Sequence, residues 1–239
     1  MQSAQQSKCD IVFLAKGRTE FTVASLQALQ ANTNWERVSK LYCYTDEAFY
    51  PLPGILRNAF DSPVVVMMDY LEGGPSPLWV KLDNDVIVPP GWLDTCLDVM
   101  DAHLDLDLLG IEPPMSRTAA PWANGKRVAA PESQCATPGY APCNSIGGIG
   151  LFRSRAWQNR PAMRPFATYG GFTDWQLREG RKGLKIGWIV PPLNLFLLDR
   201  LPMEPWASLS RRYIAEGLQR PWTAYTEAEA AALAGWWLE

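Results

Sequence analysis

The fold of this chain is decided by residues 78–89, LWVKLDNDVIVP. The mostly apolar first half is typical of a buried strand, which stops at Asp83 and Asp85 before a β-branched run leads to prolines. Residues two apart on an extended chain point the same way, so both carboxylates can face one ligand. Two neighbouring carboxylates repel each other unless a cation or a proton intervenes. The stretch therefore predicts a site for Mg²⁺ or Mn²⁺ with a diphosphate, with an acidic surface turn as the alternative.

Strands and helices alternate along the rest of the chain. The patterns predict strands at residues 10–15, 38–44, 64–68, 108–111 and 185–190, helices at 19–31, 91–107 and 154–158 and after 171, and two helical stretches after 201. This alternation indicates an α/β fold with a mostly parallel sheet flanked by helices and a helical C-terminal extension. Ligands of such sheets bind at the carboxyl ends of the strands, where Gly17, Asp46, Asp69 and Asp83 are predicted to lie.

Length, composition and net charge limit the classes of protein to which this chain can belong. The chain has 239 residues, which is enough for one large domain or for a domain with an appendage. Its hydrophobic content of 47% and charged content of 20% are ordinary for a globular protein. The net charge of −3 argues against a broad surface for nucleic acid or for a basic contact with membranes, although a local basic groove stays open.

The cysteines and the apolar runs bear on localisation. Five cysteines, odd in number and without a C-x-x-C pair, predict reduced thiols in a cytoplasmic protein. The sequence has a polar start and no run long enough for a transmembrane segment, so any contact with a membrane is expected to be peripheral. The single histidine, His103, argues against a His-rich metal site and is predicted to be structural.

The segment 112–142 differs from the rest in composition. It is rich in proline, alanine and glycine, and it also contains Trp122. A long connection of this kind is usually functional or disordered. We expect either a mobile loop over the site, in which Trp122 could stack on a sugar, or an inert insertion.

Four pieces of sequence follow one another in a telling order. They are a strand–helix–strand unit, the Asp83-Asn84-Asp85 turn, the glycine-rich segment IGGIGLF at 146–152, and GGFTDW at 170–175. This order resembles that of family 2 glycosyltransferases of the GT-A fold, from about Asp10 to Asp199. The resemblance implies a GT-A type, Rossmann-like domain over residues 1–200, with a nucleotide-binding half at 1–110 and an acceptor half at 111–200. Residues 201–239 would form the helical extension.

The resemblance also implies roles for single residues. Asp83 would lie near the ribose or the sugar, Asp85 would bind the metal, and Asp174 would be the catalytic base. The chain departs from the family where Thr173 stands in place of a glutamate and where no histidine follows the last strand. Asp199, or with less support Asn194, would replace that histidine as a metal ligand. The implied metal ligands are thus Asp83, Asp85 and Asp199, and the implied residues for binding the donor are Lys16, Arg18, Asp46, Asp83, Asn84 and Trp175.

The expected chemistry is transfer of a sugar from a nucleoside-diphosphate sugar, and the expected donor is a UDP-sugar. Mn²⁺ or Mg²⁺ would neutralise the departing diphosphate, and one base, Asp174, would activate a hydroxyl and lead to inversion. A nucleotidyltransferase and a non-catalytic nucleotide-sugar or carbohydrate-binding module are the alternatives. The hydroxyl acceptor stays open between a saccharide, a lipid-linked sugar, a protein side chain and a modified nucleic-acid base.

Overall fold

A computed structural model describes most of the chain. The described residues are 7–15, 17–45, 64–67, 76–111, 122–123, 126–127, 138–157 and 171–238. The predictions for Lys16, Asp46, Asp69 and most of 112–137 lie outside these residues.

The described elements follow the predicted alternation. The strands are β1 Cys9–Ala15, β2 Val38–Thr45, β3 Val64–Met67, β4 Leu78–Asp83, β5 Val86–Ile87, β6 Leu108–Gly110, β7 Trp122–Ala123, β8 Lys126–Arg127, β9 Gly139–Pro142, β10 Gly150–Arg153, β11 Ile186–Val190 and β12 Phe196–Leu197. The helices are α1 Thr19–Asn32, α2 Trp92–Ala102, α3 Ser154–Trp157, α4 Gly171–Gly180, α5 Trp206–Ala215 and α6 Glu227–Leu238. Short 3-10 turns cover Trp35–Arg37 and Leu198–Arg200.

The main sheet has eight strands in the order β3-β2-β1-β4-β10-β6-β11-β9. Strands β1 to β4 are mutually parallel, and β6 is parallel to β11. Strand β10 enters antiparallel between β4 and β6, and β9 adds an antiparallel edge to β11. The predicted fold class, a mostly parallel α/β sheet flanked by helices, is confirmed.

The two central strands are apolar on both faces, because helices cover both sides of the sheet. Strand β1 is buried at all of its positions, and β4 is buried up to Leu82. One core cluster joins alternate residues of β1 to α1 and α2, through Leu26 and Trp92 for example. A second cluster on the opposite face includes Trp79, Phe152 and Trp175.

The glycine-rich segment serves strand packing. A Cβ at Gly150 would lie 2.4 Å from the carbonyl oxygen of Leu109, and one at Gly110 would lie 2.6 Å from the ring of Trp188. The small residues therefore let β10, β6 and β11 approach one another closely.

Two elements differ from the sequence-based expectation. The helix predicted over 91–107 ends at Ala102, because Asp107 and Leu108 donate backbone hydrogen bonds to Lys185 and need an extended chain there. Strand β9 lies within the predicted mobile loop 112–142, yet it pairs with β11 at the sheet edge. The strand's backbone hydrogen bonds thus fix that end of the segment to the sheet.

The C-terminal extension consists of α5 and α6. Their residues form a third core cluster with Phe21 of α1, Ile87 of β5 and Phe196 of β12. Trp236 and Trp237 pack against the ring of Phe196, which joins α6 to the body of the domain. In the described parts of the chain, no helix combines the length and the apolar character that crossing a membrane requires.

Candidate functional site

The site is built where β1 and β4 end side by side. Leu14 pairs in register with Asp83, so the residues after both strands emerge at the same edge of the sheet. Arg18, just before α1, meets the turn that follows β4 there. Its Nη1 lies 3.1 Å from Oδ2 of Asp85, and its Nη2 donates to Oδ1 of Asn84 at 2.5 Å. The structure thus brings together three of the residues singled out in the sequence.

Asp199 reaches the same place through a second, small sheet. Strand β12 pairs antiparallel with β5, and the amide of Leu198 donates to the carbonyl oxygen of Asp85 at 2.8 Å. This pairing leaves Oδ2 of Asp199 at 3.7 Å from Nη1 of Arg18. The structure therefore places Asp199 and Asp85 around the same guanidinium, and the role of both as metal ligands stays a prediction.

The Asp199 carboxyl is unusually placed for an acid. Its side chain is only 3% exposed, and its Oδ1 has no hydrogen-bond partner. Burial and the neighbouring Asp85 raise the pKa of Asp199 well above its ordinary value, although Arg18 and Arg200 act in the opposite direction. Two acids this close compete for the single guanidinium between them.

Neutral side chains hold this arrangement. Asn84 donates to Oγ1 of Thr22, and its backbone carbonyl accepts from Ser25. Gln219 accepts from Arg18 at 3.3 Å and donates to Oγ of Ser210 at 2.6 Å. Because Gln219 and Ser210 belong to the C-terminal extension, that extension is a wall of the site.

Asp83 has a different cationic partner from Asp85. The Nζ of Lys81 lies 2.5 Å from Oδ1 of Asp83, whose side chain is 36% exposed. Lys81 and Asp83 are two apart on β4 and share a face, whereas the chain turns at Asn84 and Asp85. Each carboxylate thus contacts a different cationic side chain, although Asp83 also interacts electrostatically with Arg18, and the expectation that Asp83 and Asp85 face one ligand stays a prediction.

Asp174 lies in the first turn of α4 and is exposed. The helix is anchored two residues later by Gln176, which is fully buried. Its Oε1 accepts from the amide of Ile146 at 2.7 Å and from Oγ of Ser145, and its Nε2 donates to the carbonyl of Gly147 at 2.7 Å. A Cβ on the next residue, Gly148, would lie 3.3 Å from Nζ of Lys81. The glycine turn therefore links the helix of Asp174 to the strand of Asp83.

Trp175 lies in the core. The ring is 1% exposed and packs edge-to-face on Trp157 with centroids 5.1 Å apart. A ring in this position holds α4 against the sheet and offers no free face to a sugar, which differs from the donor-binding role that the resemblance implied for Trp175. Trp79, Trp92 and Trp157 are also buried in the core.

Two other arginines of the described residues have structural partners. Arg153 donates to the backbone carbonyls of Leu106 and Met100. Arg178 is exposed and pairs with Glu179. Neither contacts the acidic residues of the site.

Asp85 and Asp199 could supply part of the coordination shell of a divalent ion. In the described ranges no group of three or more acidic, histidine or cysteine residues could hold a metal. Asp85 and Asp199 supply two adjacent carboxylates, one of which has a buried oxygen without a hydrogen bond. Mg²⁺ is usually bound by one or two carboxylates and completed by water and substrate phosphates, so this pair suits such an ion.

Some functional contacts had no signal in the sequence. Gln176 and Gln219 are ordinary polar residues in helix and loop patterns, and only their burial reveals their role. Lys81 did carry a signal, because a charged residue within an apolar strand next to Asp83 needs a partner.

Comparisons with known proteins add information on the fold. No family model matches this chain, and no curated protein matches its sequence. Among solved structures, the chain is similar to Staphylococcus aureus TarS, a glycosyltransferase. With the 1–349 fragment in complex with UDP it shares 12% identity and a TM-score of 0.54, over 78% of this chain and 59% of that one.

Two more TarS structures match over a larger part of the chain. The fragment in complex with UDP-GlcNAc matches at 12% identity and a TM-score of 0.55, over 97% of this chain and 71% of that one. The fragment alone matches at 14% identity and a TM-score of 0.56, over 95% and 69%. At this identity the likeness shows a common fold.

Proposed function

We propose that this chain is a glycosyltransferase that moves a sugar from a nucleoside-diphosphate donor, a UDP-sugar, to a hydroxyl acceptor. The observation that carries the proposal is the buried pair Asp85–Asp199 at the carboxyl edge of β1 and β4. That edge is where open α/β sheets bind ligands. The shared fold with a protein solved with UDP and with UDP-GlcNAc supports the choice of donor.

In this proposal Asp85 and Asp199, with Asp83 as the third predicted ligand, would hold a Mn²⁺ or Mg²⁺ ion, which would supply positive charge to neutralise the leaving diphosphate. Asp83, half-exposed and oriented by Lys81, would accept hydrogen bonds from the ribose or sugar hydroxyls. Asn84 and Arg18 would line the same part of the donor pocket. Lys16 and Asp46, which lie outside the described residues, are proposed as further contacts of the donor.

Asp174 is proposed as the general base. Its carboxylate is exposed at the first turn of α4, and Gln176 fixes that turn against the glycine segment. A base of this kind takes the proton from the attacking hydroxyl of the acceptor. A single base acting in a direct displacement inverts the configuration at the anomeric carbon.

The remaining parts of the proposal concern organisation and place. Residues 1–110 would bind the donor, 111–200 would shape the acceptor side, and 201–239 would close the wall that Gln219 begins. The four cysteines described by the structure are free and buried, which supports a reducing compartment such as the cytoplasm. Trp122 stays a candidate for contacts with the acceptor.

A donor-hydrolysis assay tests the proposal. We expect UDP release from a UDP-sugar, beginning with UDP-GlcNAc, that requires Mn²⁺ or Mg²⁺ and is lost in Asp85→Ala. NMR of the product formed with a simple acceptor would then report inversion. Absence of release from every donor by folded protein would reject transfer, and pyrophosphate release from a nucleoside triphosphate would indicate a nucleotidyltransferase instead.

A non-catalytic module is the second candidate, and one observation favours it. Arg18 already neutralises part of the charge of Asp85 and Asp199 within the protein. A domain that only binds sugar nucleotides has no need of a metal at that pair. Tight binding of UDP-GlcNAc in calorimetry, unaffected by EDTA and without turnover, would support the module.

A further inference from the structure

The guanidinium of Arg18 lies where an ion bridging Asp85 and Asp199 would have to lie. One nitrogen, Nη1, is 3.1 Å from Oδ2 of Asp85 and 3.7 Å from Oδ2 of Asp199. A cation shared by two carboxylates needs the same two oxygens. The side chain of Arg18 is 12% exposed, so water screens these contacts only weakly.

We propose that Arg18 and a divalent cation compete for Asp85 and Asp199, so that the ion binds the pair only when the guanidinium leaves it. This inference rests on the proposed function for the presence of the ion. Arg18 thereby sets how tightly the site holds a metal.

Coulomb repulsion forbids both cations at once. A guanidinium and a divalent ion bound to the same oxygens would lie within a few ångströms of each other in a poorly hydrated place, where like charges repel strongly. Either cation can neutralise charge on the two carboxylates, and the divalent ion carries the larger charge.

Arg18 has a second set of partners that would remain after the exchange. Its Nη2 donates to Oδ1 of Asn84, and its Nη1 also donates to Oε1 of Gln219. The ring of Phe21 lies 5.5 Å from its Cζ. These acceptors are neutral and are held in place by Thr22 and Ser210, so the guanidinium can leave the acids without losing every contact.

The acid pair is also left incompletely satisfied by Arg18. Oδ1 of Asp199 is buried and accepts no hydrogen bond, and it has a long ionic contact of 4.0 Å with Nε of Arg200. A buried carboxylate oxygen without a hydrogen bond is costly, and metal coordination would reduce that cost. The arrangement therefore favours exchange for a cation that can use this oxygen.

Calorimetric titration with Mn²⁺ alone tests the competition without any turnover. We expect Arg18→Met to bind Mn²⁺ at least about tenfold more tightly than the unmodified chain, because a positive charge beside the ligands is removed. Arg212→Met is the matched control, since it removes the same charge from an exposed pair with Glu20, and it should bind Mn²⁺ as the unmodified chain does. Adding Asp85→Asn to Arg18→Met should abolish the gain.

Equal or weaker Mn²⁺ binding by Arg18→Met would overturn the proposal, and so would a gain that survives Asp85→Asn. If Arg18→Met does not fold, Arg18→Gln provides the same comparison, because a neutral amide can keep the contact with Asn84. UDP-sugar turnover by the unmodified chain is scored separately. Turnover without the expected gain in Mn²⁺ affinity rejects the competition alone, and the gain without turnover rejects the transferase alone.

Discussion

The two ends of the proposed site are held in different ways. At one end, Asp85 and Asp199 are buried, Arg18 is partly buried, and all three are positioned by β1, β4, β12 and the C-terminal extension together. At the other end, Asp174 is exposed on a single helix that one amide, Gln176, fixes to a glycine turn. Buried charges need hydrogen-bonding or ionic partners from the surrounding protein, whereas an exposed carboxylate is hydrated by water and needs only a fixed orientation.

This difference predicts that the two ends contribute differently to folding stability and to sugar transfer. Changes at the buried end should alter folding and metal affinity, because they leave charges without partners. Changes at the exposed end should alter transfer with little effect on folding. The following predictions test that division.

The largest effect is expected from Asp174→Asn. Loss of a general base lowers the rate by about 10²- to 10⁴-fold, and an exposed side chain should change the free energy of unfolding by less than about 0.5 kcal/mol. Transfer rates and urea unfolding measure the two quantities. Glu179→Gln on the same helix is the control and should keep its activity. A large loss of stability in Asp174→Asn would contradict the division.

Arg18→Met should destabilise the fold by about 3 kcal/mol, because it leaves two buried carboxylates without their shared cation. Arg212→Met, which breaks an exposed pair, should cost about 1 kcal/mol or less. Urea unfolding of both variants at neutral pH provides the comparison. Equal losses would show that the buried end is no more dependent on its ion pair than the surface is.

Gln176→Ala should cost about 2 kcal/mol, because it leaves the amide of Ile146 and the carbonyl of Gly147 without partners. It should also lower kcat more than it raises KM, since Asp174 loses its fixed direction. Gln27→Ala on the exposed face of α1 is the matched control and should change neither stability nor kinetics. Unchanged kcat in a folded Gln176→Ala would reject the positioning role.

The smallest effect is expected where α1 joins the C-terminal extension. Burial raises the pKa of Glu20, but hydrogen bonds from Tyr213 and Arg212 outweigh it and lower the pKa below its usual value. A carboxylate with a lowered pKa contributes stability above its unfolded pKa and loses it as the pH falls through the folded pKa.

Tyr213→Phe should therefore cost about 1 kcal/mol at pH 7, and the gap to the unmodified chain should shrink as the pH falls below about 4. Thermal unfolding at pH 7 and pH 3 measures both gaps. A gap that is the same at both values would mean that the hydroxyl acts through packing and not through Glu20.

Much of the fold could be predicted because its signals are local. The apolar run before Asp83 and the run over residues 10–15 reported burial on both faces, and both became central parallel strands. The end of α2 at Ala102 could not be read in this way, since it depends on the pairing of β6 with a strand far along the chain. Trp175 shows the same limit, because the pattern placed it beside Asp174 and not in the core.

The sequence by itself determined the alternation of strands and helices, the strand ends that carry acidic residues, and Asp85, Asp174 and Asp199 as the acids to examine. The tertiary structure alone decided which side chains meet: Asp83 with Lys81, and Asp85 and Asp199 with Arg18. The spacing of apolar residues that predicts helices and strands involves residues close together in the chain, so it can be read from the sequence directly. Ion pairs and buried amides depend on how separate elements pack, and that is settled only when the whole sheet is assembled.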